Sequence, residues 1–393
     1  MIHRILVGRA LRSFADGFIA VVLPAYLLAL GLGQLEVGVI STSTLLGSAF
    51  ATLAIGRWGN RFSIRRLLLG AALLMAATGL GFAGFASFWP LLVVAFVGTL
   101  NPSSGDASIF MPLDHTVLAN AADRPGVFAR YSFIGSMAGA LGALAAALPE
   151  AFGAHIAMLD ALRLMFVLYA AVGIAAWALY LGLPEIRAGG DAPPAPLGPS
   201  RGIVWRLAAL FSVDAFAGGL MLNSLLALWL FERYGLSLAA AGAFFFWTGL
   251  LSACSQLAAA PLGRRIGMIN TMVFTHIPSS LFLIGAALAT NVDLALACLL
   301  ARSLLSQMDV PARGAFVMSV VTPAERPAAA SFTAVPRSLA AAVSPSITGA
   351  MFAAGAMAAP LVACGVLKIA YDLALYAAFR RAERTAAVTQ GVR

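Results

Sequence analysis

The sequence predicts an all-α integral membrane protein, with twelve transmembrane helices in two pseudo-symmetric bundles of six, on three observations. Hydrophobic residues make up 61% of the chain and charged residues 10%, with a mean hydropathy of +0.92. Soluble domains carry charge on about a quarter of their residues. Apolar runs of roughly 20 residues, enough to cross a bilayer core at about 1.5 Å per residue, recur from end to end between short polar turns. Finally, the second half of the chain repeats the first.

The first run, near 5–30, follows His3 and Arg4; it is too long for a cleaved leader and lacks a small-x-small site, so it is expected to stay as a helix. The runs near 37–55 and 67–87 are separated by the basic stretch from Gly56 to Arg66. The fourth, 90–118, contains Asn101-Pro102, where a bend or a break is expected because proline lacks a backbone donor. The fifth, 126–148, opens after Arg124-Pro125 and carries Gly135, Gly139 and Gly142 at a spacing that suits close helix packing. The sixth, 161–183, ends before the one long proline-rich polar stretch, 185–202, read as a linker. Six more runs follow near 203–231, 238–260, 270–290, 292–321, 328–354 and 357–378. The expected organisation is therefore an N-terminal bundle over 1–184, a cytoplasmic linker over 185–202, and a C-terminal bundle with a short cytoplasmic tail over 203–393.

The net charge of +9 is collected in alternate loops, through Arg57, Arg61, Arg65, Arg66, Arg124, Arg187, Arg201, Arg264, Arg265, Arg326 and Arg380. That is a positive-inside distribution: it places both termini in the cytoplasm and the protein in the cytoplasmic (inner) membrane, and it offers no continuous basic face for nucleic acid. Cys254, Cys298 and Cys364 lie in apolar runs without metal-ligand spacing, so no metal and no cofactor is expected. The expected partners are the lipid bilayer, a small-molecule substrate and protons, with no oligomer required.

The repeat is visible residue by residue. Ser13-Phe14-Ala15-Asp16-Gly17-Phe18 matches Phe211-Ser212-Val213-Asp214-Ala215-Phe216, and at the same offset of 198 Leu27-Leu28-Ala29-Leu30 recurs as Leu225-Leu226-Ala227-Leu228. Ser103-Ser104-Gly105-Asp106 answers Ser306-Gln307-Met308-Asp309, and Ala122-Asp123-Arg124-Pro125 answers Ala324-Glu325-Arg326-Pro327. Parallel repeats about an axis along the membrane normal put a binding site near the midplane and permit alternating access by rocking one half against the other.

After the second run stands Gly56-Arg57-Trp58-Gly59-Asn60-Arg61-Phe62-Ser63-Ile64-Arg65-Arg66, and after the eighth Pro261-Leu262-Gly263-Arg264-Arg265-Ile266-Gly267. With the helix count, linker and repeat, these residues resemble the major facilitator superfamily and its G-x-x-x-D-R-x-G-R-R loop, with Asn60 for the acid and Ser63 for the second glycine. The resemblance implies the major facilitator fold and a gating loop built on Gly56, Asn60, Arg61, Arg65 and Arg66. It also implies that helices one, four, seven and ten line a central cavity and that two, five, eight and eleven form the interface of the halves.

Charges inside membrane helices are costly unless they face protein or water, so each is a site candidate. Asp16, Asp106, Asp214 and Asp309 fall on the four lining helices as two repeat-related pairs. A desolvated carboxylate can carry a proton or neutralise a cationic substrate; alternatively each acid pairs with an arginine, Arg12 standing four residues before Asp16 and Arg313 four after Asp309. Arg130 and Arg337, in helices five and eleven, could hold an anion through a planar fork. Asp114 and His115 are read as an interfacial pair without a transport task, and Lys368 and Asp372 as neutralising each other at a four-residue spacing. Met268, Met272 and His276 share one helix face, which suits packing or a soft cation. No nucleotide loop, nucleophile elbow or H-E-x-x-H motif occurs, so no catalytic residue is assigned. The expected function is secondary active transport by alternating access, in the form of proton-coupled efflux of a hydrophobic or cationic organic compound. The alternatives are uptake or uniport of a metabolite, anion or metal complex, and, from another class, a membrane sensor or enzyme.

Overall fold

The structure is a computed structural model that describes residues 1–103, 108–118, 124–153, 155–185, 197–322 and 325–389. Asp106 and much of the linker fall outside them. The described residues are helical almost throughout: α1 Ile2–Ala29, α2 Gln34–Trp58, α3 Ile64–Gly84, α4 Phe88–Val97, α5 Phe110–Leu118, α6 Arg124–Ala145, α7 Leu148–Phe152, α8 Met158–Leu181, α9 Arg201–Gly219, α10 Asn223–Tyr234, α11 Leu238–Ile266, α12 Met268–Leu288, α13 Val292–Leu305, α14 Asp309–Val320, α15 Arg326–Ala353 and α16 Ala359–Thr389. The expected twelve runs correspond to these segments, four of the runs being divided in two. Among the described residues nine spans are long and apolar enough to cross a membrane. Many large apolar side chains, such as Trp89, Val93, Leu257 and Leu288, stand exposed, as lipid-facing residues must.

The interruptions have local causes. Between α4 and α5 the backbone leaves the helix at Gly98 and turns at Asn101-Pro102, where Asn101 Oδ1 accepts hydrogen bonds from the Ser103 N–H (3.1 Å) and hydroxyl (2.7 Å). The Pro102 carbonyl accepts from Ser224 N–H (3.1 Å), one of the unmatched donors at the start of α10. Each broken helix thus satisfies a backbone group that the other exposes, which a membrane interior demands.

Two compact units form, each discontinuous in sequence. Unit 1 comprises Met1–Gly190, Leu222–Gly249 and Pro345–Gly355; unit 2 comprises Asp191–Met221, Leu250–Ser344 and Ala356–Arg393. The first boundary falls inside the expected linker, but α10, the first turns of α11 and the end of α15 join the N-terminal helices rather than their own sequence half.

In unit 1, α1 is buried on nearly every face and packs on α6, α8 and α10. Close approach explains its small residues. A Cβ built on Gly17 would strike the Gly139 carbonyl, and one on Gly142 would strike that of Phe14, so Gly142 of the fifth run serves close packing against α1. α2 crosses α15 at Gly38 and Gly349, with Ser346 donating to Thr42 Oγ1 from its N–H (3.0 Å). Glu150 of α7 accepts hydrogen bonds from the N–H groups of Leu238 (2.5 Å) and Ala239 (3.2 Å), capping α11 with a carboxylate where the helix dipole is positive. In unit 2, α9, α12, α14 and α16 enclose an apolar core around Phe211, Met272, Phe316 and Tyr371.

Candidate functional site

Both units hold ionic clusters inside membrane-spanning helices. In unit 1, α1 presents Arg9, Arg12 and Asp16 on successive turns. Arg12 Nη2 makes an ion pair with Asp114 of α5, which is fully buried. The Tyr131 hydroxyl of α6 donates to the same Asp114 oxygen (2.8 Å), and the Arg9 guanidinium lies 4.8 Å from the Tyr131 ring centre. Asp114 is thus buried among side chains of α1 and α6. Its neighbour His115 packs edge-on against Phe128 and Tyr131. Asp16 stays half-buried, accepts a hydrogen bond from the Asn101 side chain at the break in the fourth run, and feels the positive charge of Arg9 and Arg12.

In unit 2, Asp214 of α9 is 4% exposed and doubly paired: Lys368 Nζ of α16 lies 2.8 Å from its Oδ1 and Arg313 Nη1 of α14 3.3 Å from its Oδ2. Asp309, also 4% exposed, opens α14 and pairs with Arg313 one turn later, as the four-residue spacing predicts. Lys368 and Asp372 do not neutralise each other. Lys368 turns to Asp214 and to His276 Nε2 (3.2 Å), while Asp372 meets His276 Nδ1 (3.0 Å). Neighbouring helices outcompete local spacing here because removing either charge from water demands the partner with the shortest reach. Met272 is a core residue and Met268 packs beside it, so the shared face of α12 divides into packing and an ionic histidine.

Arg130 on α6 and Arg337 on α15 are exposed; Arg337 lies within electrostatic range of Asp214, Asp309 and Arg313. In the loop after α2, a single 3-10 turn covers Gly59–Arg61, a Cβ on Gly56 would meet open space, and the Asn60 side chain lies outside the described residues. Ser63 Oγ caps α3 by accepting the Arg66 N–H (3.3 Å), which gives the hydroxyl at this loop position a use that glycine lacks. Arg61 is exposed, Arg65 half-buried, and Arg66 meets Glu185 at 3.4 Å.

Sequence reasoning passed over Asp114, Tyr131 and His276 as partners. Their signal was polarity inside apolar runs, but who meets whom is decided between helices.

The chain is similar to membrane proteins along nearly its whole length. An uncharacterized membrane protein of Saccharomyces cerevisiae is 23% identical over 94% of this chain and 92% of its own length. The xylose transporter XylE of E. coli superposes with a TM-score of 0.75 at 16% identity, covering 96% of each chain. The nucleoside transporter NupG superposes with a TM-score of 0.74 at 14% identity, covering 96% of this chain and 99% of its own. The family model described as Major Facilitator Superfamily matches residues 5–308, and the chain is a multi-pass membrane transporter belonging to that superfamily.

Proposed function

We propose that this transporter couples proton movement to the export of a hydrophobic or cationic organic compound across the cytoplasmic membrane, acting as a single chain with both termini inside. The observation that carries the reading is the state of Asp16. Asp16 is half-buried on α1, accepts a hydrogen bond from Asn101 at the backbone break at Asn101-Pro102, and lies within the electrostatic range of Arg9 and Arg12. A carboxylate between apolar surroundings and solvent exchanges a proton at low energetic penalty and attracts a cation when ionised. Asp214, doubly paired, is assigned to holding α9, α14 and α16 together and to answering changes in that pairing.

A second reading, carriage of an anionic metabolite, is favoured by Arg337, an exposed guanidinium next to an ionic network whose acids already have basic partners. The two separate in sealed proteoliposomes carrying a pH-sensitive dye and challenged with a panel of lipophilic cations and organic anions. Proton flux evoked by cations and lost in Asp16→Asn supports the first reading. Transport of anions that survives Asp16→Asn and fails in Arg337→Gln replaces it with the second.

A further inference from the structure

The buried group that the proposed mechanism leaves unused is His276. It sits on α12, at the end of a hydrogen-bonded row that starts at Asp214: Asp214 Oδ1 to Lys368 Nζ (2.8 Å), Lys368 Nζ to His276 Nε2 (3.2 Å), His276 Nδ1 to Asp372 (3.0 Å). His276 and Asp372 are both buried. The chemistry of the partners fixes the direction of each bond. An ammonium group only donates and an ionised carboxylate only accepts, so the imidazole must accept at Nε2 and donate from Nδ1. That is one neutral tautomer, imposed from both sides.

From this geometry we infer that His276 is a positioning residue for transport: a proton binding at Nε2 breaks its bond to Lys368 and drives the ammonium wholly onto Asp214. The step balances simply: a hydronium ion gives its proton to the Nε2 lone pair and leaves as water, the imidazole becomes imidazolium, and the Nδ1–H bond to the Asp372 carboxylate is kept and becomes an ion pair. Lys368 keeps its three hydrogens, loses an acceptor and gains a repelling cation. Asp214, shared between Lys368 and Arg313, is then held more by the former, which loosens Arg313 toward Asp309.

Histidine is the residue type whose charge changes most readily near physiological pH. The charged groups of the elements packed around it are, among the described residues, Lys368 and Asp372 of α16, Asp214 of α9, Asp309 and Arg313 of α14, and Arg302 of α13, whose carbonyl accepts from Ser279 of α12; the Tyr371 ring of α16 stands edge-on to the imidazole. The row therefore links a proton-binding group on the ninth run to the acid on the seventh. The inference rests on the proposed proton coupling only for its use in transport, because the switch itself is a property of the protein without substrate.

The test is nitrogen NMR of the full chain in nanodiscs, labelled with 15N-histidine. Four histidines are present, and His276→Gln identifies the signal. The expected result is an Nδ1–H tautomer in the neutral imidazole, loss of the Lys368 contact when the imidazole is protonated on acidification, and loss of the tautomer preference in Lys368→Met. An Nε2–H tautomer in the neutral form, protonation that leaves the Lys368 contact in place, or a tautomer indifferent to Lys368→Met would each overturn the inference. In proteoliposomes the expected companion is a shifted pH profile of proton flux in His276→Gln at preserved substrate binding. Proton flux absent in wild type, with the NMR switch intact, removes the coupling reading and leaves the switch standing.

Discussion

At the scale of single residues, the energetics are those of ions that have been moved out of water. Removing one partner of a buried pair strands the other and costs about 3–5 kcal/mol. Lys368→Met is therefore expected to lower the thermal midpoint in detergent sharply, and Asp214→Asn added to it to recover part of the loss, since the stranded anion is gone. A double substitution no better than the single one would show that Arg313 alone satisfies Asp214. Asp16→Asn is expected to leave that midpoint nearly unchanged while abolishing substrate-evoked proton flux, which separates transport from structure. The sequence marked Asp16, Asp214 and Asp309 as intramembrane acids, and the i,i+4 pairing of Asp309 with Arg313 was readable from spacing alone. The partners of Asp214, Asp114 and Asp372 were not, because each lies on another helix, 154, 102 and 96 residues away. Linear distance carries no information about which buried charges a bundle brings together.

At the scale of elements, what the sequence announced best were the apolar runs, and what it announced least were their breaks. Asn101-Pro102 was legible because proline removes a donor, whereas the division between α9 and α10 follows Gly218-Gly219 with no such mark. The small residues of α2, α6 and α15 were legible as packing positions, but their facing partners were not. Gly38 lies so close to Gly349 that an added side chain must part the helices. Cysteines at Thr42 and Ser346, whose hydroxyls meet at 2.7 Å, are expected to form an oxidant-induced crosslink in a background without Cys254, Cys298 and Cys364. Gly38→Val added to that pair should suppress the crosslink at least several-fold on a gel. An undiminished crosslink would mean that the two helices approach elsewhere. Glu150→Gln keeps an acceptor for the α11 N–H groups but loses the charge matched to the dipole, and is expected to weaken the cap by about 0.3–1 kcal/mol.

At the scale of the whole molecule, the linker is held at its C-terminal end. Glu325, in the loop before α15, accepts hydrogen bonds from Ser200 N–H (3.3 Å), from Gly198 N–H and from the Thr322 hydroxyl (2.6 Å). The hydroxyls of Ser200 and Thr322, then the Gly198 N–H, hold its carboxyl down at about 2. A depressed carboxylate contributes stability that is complete above its ordinary value and is lost as pH falls toward the folded one. The clamp is thus expected to stay closed from pH 5 upward. Glu325→Gln should open residues 197–201 to protease at neutral pH, where wild type resists; equal cleavage of both would remove the clamp. Residues 222–249 and 345–355 of the second sequence half pack with helices of the first. That arrangement bears on biogenesis. The ribosome delivers the N-terminal helices first; α10, arriving later, meets in Pro102 an acceptor for its first turn. The second half is in this sense completed on a template, and a C-terminal fragment made alone would enter the bilayer with the ends of three helices unmatched until the missing half is supplied from a separate message.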